Sequence, residues 1–170
     1  LAIPIVSNKK FVEIYKVNDY KHKKIRKNSV LIMAGGLGKR MRPYTNSKPK
    51  PMLKINGVPI LEKIIVNFRD HGFKNFIIST YYKSKKISDY FKKGNKLKVK
   101  IDYINEKKPL GTAGALSLLP KKVNDPIIVA NGDVLTKLNP STLLDYHEHN
   151  KFDFTVASIN YNYQLPFGSI

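Results

Sequence analysis

Cysteine is absent from the 170 residues. Disulfides and thiolate metal centres are therefore excluded. No apolar run approaches the roughly 18 residues that a membrane-crossing helix needs. The N-terminus lacks the charged-then-apolar layout of a signal peptide, so a soluble cytoplasmic protein is expected. No serine sits in a Gly-x-Ser-x-Gly elbow, and no zinc-type spacing occurs. His22, His71, His147 and His149 are scattered among polar residues, and the i, i+2 pair at 147 and 149 does not share a helix face. Internal repeats are missing as well.

Acidic residues are scarce, 12 against 31 basic ones, for a net charge of +19. Such a balance invites a nucleic-acid reading. Arginine, the residue with the planar fork that suits bases and phosphates, is also scarce. Arg26, Arg40, Arg42 and Arg69 are the only four. The lysines are spread along the chain, as at Lys9, Lys63, Lys98, Lys121 and Lys151. A solvated lysine surface, able to steer phosphorylated ligands inward, fits better than a nucleic-acid interface.

The chain has enough apolar residues, 42%, for an ordinary core in one domain plus a fragment. Residues 1–20 read as a hairpin of two strands, Ala2–Val6 and Phe11–Val17. Lys21 to Asn28 is polar and reads as a linker. From Ser29 strand and helix alternate. Strands are expected at Val30–Ala34, Asn75–Thr80, Lys98–Asn105, Pro126–Ala130 and Phe152–Ile159. Helices are expected at Pro59–His71, Lys83–Lys93, Thr112–Leu119 and from Pro140, with Asn139 as its cap. Leu61, Ile64, Ile65 and Phe68 fall at i, i+3, i+4, i+7, the stripe of a half-buried helix. Alternation of this kind builds a mostly parallel sheet, with ligands beyond the carboxyl ends of its strands.

Three chemically unusual segments lie at such ends. In the first, the run Leu31-Ile32-Met33 leads into Ala34-Gly35-Gly36-Leu37-Gly38-Lys39-Arg40. Glycines let the backbone bend and approach a ligand closely. Their exposed N–H groups form an anion-binding concavity. The string lacks the Lys-Ser/Thr of a P-loop and the third glycine of a dinucleotide fingerprint. Pro43, Pro49 and Pro51 forbid a regular helix after it. An extended course carrying Arg40, Lys48 and Lys50 over the sheet is expected. In the second segment, Val129-Ala130-Asn131-Gly132-Asp133 is a buried strand ending in a carboxylate. Magnesium takes one or two protein carboxylates and fills its octahedron with phosphates and water. Asp133 suits that role. The third segment is Glu106-Lys107-Lys108-Pro109-Leu110-Gly111-Thr112-Ala113-Gly114, where Thr112 can cap a following helix.

From Ala34 to Ile55 the chain resembles the sugar-phosphate nucleotidyltransferase family, whose signature runs Ala-Gly-Gly-x-Gly-x-Arg-x-x-Pro and then Pro-Lys-Pro-Met/Leu. The loop, the Pro-Lys-Pro-Met-Leu stretch and Leu-Gly-Thr-Ala-Gly-Ala look most like its mannose-1-phosphate guanylyltransferase branch, CBS-fused members included. The resemblance implies a Rossmann-like three-layer α/β/α fold of the nucleotide-diphospho-sugar transferase type over residues 29–170, incomplete at the C-terminus. It implies condensation of a nucleoside triphosphate with a sugar 1-phosphate, with magnesium and release of pyrophosphate. Arg40, Lys50 and Asp133 are the implied catalytic residues, Asp133 holding the metal. Ala34, Gly35, Gly36, Gly38, Arg40, Lys50, Glu106, Gly111 and Thr112 are the implied nucleotide contacts. Nucleic acid and membrane are not implied partners, and self-association into a homo-oligomer stays open. Residues 1–20 resemble the closing end of a CBS motif, with Asp19 where a ribose contact often falls. A non-catalytic nucleotide-sensing relative is the alternative function, and a basic nucleic-acid-binding module a remote one.

Overall fold

The computed structural model describes the backbone of residues 2–7 and 10–16, and residues 24–111, 113–119 and 125–160 in full. Strands β1 (Ala2–Ser7) and β2 (Lys10–Lys16) form an antiparallel hairpin, with a register shift between Ile5 and Val6. Asp19 and Thr112 lie outside the described residues.

Among the described residues the main sheet has four parallel strands in the order β7-β6-β3-β8. These are β3 (Arg26–Met33), β6 (Phe73–Thr80), β7 (Lys100–Asn105) and β8 (Ile128–Asn131). A small antiparallel pair, β4 (Lys54–Ile55) and β5 (Val58–Pro59), precedes the first helix. Register puts Ile128, Val30, Phe76 and Ile101 in one row across the sheet, and Ala130, Ile32, Ile78 and Tyr103 in the next. Residues paired side by side share a face, and both rows belong to one core cluster. Each fully buried member, such as Phe76, contributes about 1.5–3 kcal/mol.

Helix α1 (Ile60–Asp70) covers these rows with Leu61, Ile64, Ile65 and Phe68, the stripe read from spacing. Phe68 meets Phe73 and Phe76 edge-on, with ring centroids 5.6 and 6.4 Å apart. The helix stops at Gly72, at φ 94°, where an added Cβ would lie 2.1 Å from the Lys24 carbonyl oxygen. Only glycine fits there. Helix α2 (Ser84–Phe91) adds Ile87 and Phe91 to the same core, and α3 (Pro140–Asn150) adds Leu144. Asn139 caps α3 by accepting from the N–H groups of Ser141 and Thr142 at 2.9 and 3.3 Å.

Several boundaries differ from expectation. Strand β3 starts at Arg26, inside the expected linker, because two of its polar residues are buried with partners. Arg26 donates both terminal nitrogens to Asp145 of α3 at 2.7 Å, and Asn28 donates to the Pro126 carbonyl. The helix expected over 112–119 is a short 3-10 stretch, Gly114–Leu118, entered through Ala113 at φ 61°. The left-handed entry and Gly114 break regular helix there. Residues 152–159 form no strand. Phe154, Val156 and Ile159 are exposed, and no described strand lies alongside to pair with them. No described helix is long and apolar enough to cross a membrane.

Candidate active site

The glycine segment leaves the sheet at the carboxyl end of β3. The Ala34 N–H still donates to the Ser79 carbonyl of β6 at 2.8 Å, and the Gly132 N–H to the Met33 carbonyl at 2.9 Å. Past that point the chain turns at Gly38, at φ 62°, into a single 3-10 turn, Lys39–Met41. A second such turn, Lys50–Met52, follows Pro49. The prolines do prevent a regular helix, but the segment is two tight turns rather than one extended run. The turns fold Lys50 inward, while Lys48 stays exposed and away from the cleft.

The carboxyl ends of the strands enclose one cleft of about 500 Å³. Ala34, Gly35, Gly36, Gly38, Arg40, Lys50, Glu106, Gly111 and Asp133 all line it. These are the expected site residues, apart from Thr112. Three segments separated by up to about a hundred positions thus meet in one place. Lys50 Nζ donates to Asp133 Oδ2 at 2.7 Å, with both side chains about one-third exposed. Gly132 lets β8 pass tightly beneath the glycine loop, since a Cβ there would sit 2.9 Å from the Met33 carbonyl oxygen.

Glu106, an expected nucleotide contact, also has protein partners on both carboxylate oxygens. One carboxylate oxygen accepts from the Ser79 hydroxyl and the other from the Leu110 N–H at 3.1 Å. It braces the 106–111 loop against β6 and stands where a side chain on Gly35 would go, 3.0 Å from such a Cβ. Gly111, at φ 74°, is exposed with open space at its Cβ position, so its backbone is accessible from the cleft.

The charge balance of the lining follows. Lys39, Arg40 and Lys50 face Glu106 and Asp133. Glu106 is held by neutral donors and Asp133 by Lys50. Lys39 and Arg40 are exposed and have no ion-pair partner among the described residues. A concavity of backbone amides with two uncompensated cations at its rim attracts a multiply charged phosphate ligand. Sequence reasoning missed two residues that shape this cleft from behind, Thr45 and Ser79. Both are fully buried polar residues, 1% and 0% exposed, next to segments it did single out.

A parallel α/β sheet with a glycine turn, cations and a strand-end carboxylate beyond its strand ends has the layout of the nucleotide-binding α/β class. Residues 29–170 match the Nucleotidyl transferase family, and the chain belongs to it. A mannose-1-phosphate guanylyltransferase from Mycobacterium tuberculosis is 36% identical over 141 residues, 82% of this chain and 39% of that protein. A D-glycero-alpha-D-manno-heptose 1-phosphate guanylyltransferase from Aneurinibacillus thermoaerophilus is 36% identical over 129 residues, 75% of this chain and 55% of the relative. The crystal structure of HddC from Yersinia pseudotuberculosis, complexed with GMP-PN, superposes with a TM-score of 0.63 at 36% identity, covering 71% of this chain and 54% of that one. The fold is that of the nucleotide-diphospho-sugar transferases. The chain spans 39–55% of the length of these relatives.

Proposed function

We propose that this domain transfers a nucleoside monophosphate from a nucleoside triphosphate to a sugar 1-phosphate. A guanosine nucleotide is the first choice, because both relatives are named guanylyltransferases and the Yersinia neighbour was crystallised with GMP-PN. The observation that carries the reading is the meeting of the glycine turn, Arg40 and the Lys50–Asp133 pair in one cleft.

A sugar 1-phosphate oxygen would attack the α-phosphorus. The bond from that phosphorus to the α–β bridging oxygen breaks in line, and pyrophosphate leaves with the electron pair. The nucleophile is already anionic, so no general base is needed. Catalysis reduces to alignment and charge neutralisation. The amides of Gly35 to Gly38 would hold the triphosphate, Arg40 the departing pyrophosphate, and Lys50 the attacking and α-phosphate oxygens. Asp133 fits magnesium by the chemistry of its donors. It is a hard carboxylate oxygen at a strand end, and no described group of three ligating side chains surrounds it. One carboxylate suits an ion that rests mainly on phosphate oxygens and water. When bound, the ion would lower the charge barrier between nucleotide and sugar phosphate.

The protein should be assayed for pyrophosphate release with four triphosphates against several sugar 1-phosphates. GTP with a manno-configured sugar phosphate is expected to be fastest. Arg40→Ala should cost on the order of 10²–10³ in rate. Its melting temperature should not move, because the Arg40 side chain has no hydrogen-bond or ion-pair partner among the described residues. No release with any pair, or near-full activity of Arg40→Ala, would refute the assignment.

A further inference from the structure

We infer that Thr45 is the positioning residue of the phosphate-binding turn. The inference rests on the nucleotide-triphosphate reading for its consequence, but its geometry stands alone. Thr45 lies in an exposed, polar stretch and is nonetheless 1% exposed. Its hydroxyl donates to the Gly38 carbonyl at 2.8 Å. The same carbonyl accepts from the Met41 N–H at 3.0 Å, so both lone pairs of Gly38 are engaged. Two bonds in different directions fix a peptide plane that one bond leaves free to rock. Gly38 is the left-handed residue at which the turn reverses, at φ 62°. Fixing its plane therefore fixes the Lys39 N–H in the same peptide and the direction in which the chain carries Arg40 onward.

The methyl group of Thr45 has a second task. It lies 3.0 Å from the place a Gly38 Cβ would occupy, with Lys50 Cβ at 3.5 Å. Thr45 thus fills the space between the glycine turn and the base of Lys50, and sets their separation. From behind, the Thr45 carbonyl accepts from the Tyr82 hydroxyl at 3.3 Å, and Lys83 Nζ donates to the Asn46 carbonyl. The loop after β6 anchors Thr45 against the sheet. Thr45 does not line the cleft, so it acts through Gly38, Arg40 and Lys50 rather than on the ligand.

Two variants separate the hydroxyl from the shape. Thr45→Val keeps the volume and removes the donor, while Thr45→Ser keeps the donor. In the ligand-free protein, Thr45→Val should speed amide hydrogen exchange at Met41 about five- to tenfold, the worth of one net hydrogen bond. Exchange in β6 should be unchanged. By calorimetry the same variant should weaken binding of GTP by a similar factor and leave binding of guanosine, which has no phosphates, unaltered. Thr45→Ser keeps the bond to the Gly38 carbonyl and should restore exchange at Met41 to within about twofold, while GTP binding should recover only in part, because the methyl that spaces Lys50 from the turn is gone. Unchanged exchange at Met41 in Thr45→Val overturns the positioning role. So does an equal loss of GTP and guanosine binding that tracks a lowered melting temperature, which marks a structural residue only. If the wild-type protein binds no triphosphate while Met41 exchange responds as stated, the nucleotide reading fails and the geometric role of Thr45 survives.

Discussion

The Lys50–Asp133 pair allows a quantitative test. At 2.7 Å the two charges form a hydrogen-bonded ion pair, 32% and 33% exposed. At about 4 Å between charge centres and an effective dielectric near 20, the Coulomb term is about 4 kcal/mol. Fully exposed pairs deliver only about 0.2–1 kcal/mol, because solvent screens them and side-chain freedom is lost. One-third exposure lies between, so a coupling of about 1–2 kcal/mol is expected after screening. A double-mutant cycle with Lys50→Met, Asp133→Asn and both, followed by urea denaturation of ligand-free protein, measures it directly. The coupling should shrink markedly between about 20 mM and 500 mM salt, as the screening length falls. Lys50→Met should also reduce nucleotidyl transfer on the order of 10²–10³. Additive mutations, with coupling below about 0.3 kcal/mol, would refute the reasoning, since the pair would then not persist in solution.

Three further outcomes are expected. Asp145→Asn should destabilise the fold by about 2–3 kcal/mol, below the 3–5 kcal/mol of a fully buried pair because Asp145 is 54% exposed while Arg26 is 6% exposed. Hydrogen bonding from Arg26 lowers the Asp145 carboxyl. Its stabilising contribution is therefore complete above the ordinary carboxylate value and lost as pH falls through the lowered folded value; acid titration of stability should flatten there in the variant. Burial pushes the Tyr103 phenol up to about 12, so its contribution is present below the ordinary tyrosine value and lost as pH rises toward 12. Ultraviolet titration should show a late tyrosine that Tyr103→Phe removes. Gly72→Ala should cost about 2–4 kcal/mol in urea denaturation, through positive φ and a clash with backbone; a stability equal to wild type would contradict the packing of Lys24 against it.

Local periodicity made much of this fold legible. Leu61, Ile64, Ile65 and Phe68 carry the spacing of α1, and they are its buried face. The site segments were legible for a different reason. Their glycines, prolines and strand-end carboxylate are unusual in type and order, so they stand out without knowledge of their partners. What stayed hidden depends on distant contacts. Arg26-Lys27-Asn28 is polar and reads as linker, yet its partners lie 119 and 98 positions away. Phe152 to Ile159 has strand-like alternation, but a strand exists only with a neighbour. Glu106 was found, but its role as a brace depends on Ser79, whose burial no local pattern announces.

The strand order also has a kinetic consequence. From β3 the chain adds β6 and then β7 on one side, and only afterwards returns to lay β8 on the other. Val30 pairs with Phe76 but also with Ile128, so closing β3 on β8 spans about twice the loop that closing β3 on β6 does. Longer loops cost more entropy to close and slow the pairing that depends on them. Strand β8 brings Asp133. Pairing of β3 with β6 is therefore expected to precede its pairing with β8, and the cleft becomes complete only once β8, the last of the described strands, delivers its carboxylate.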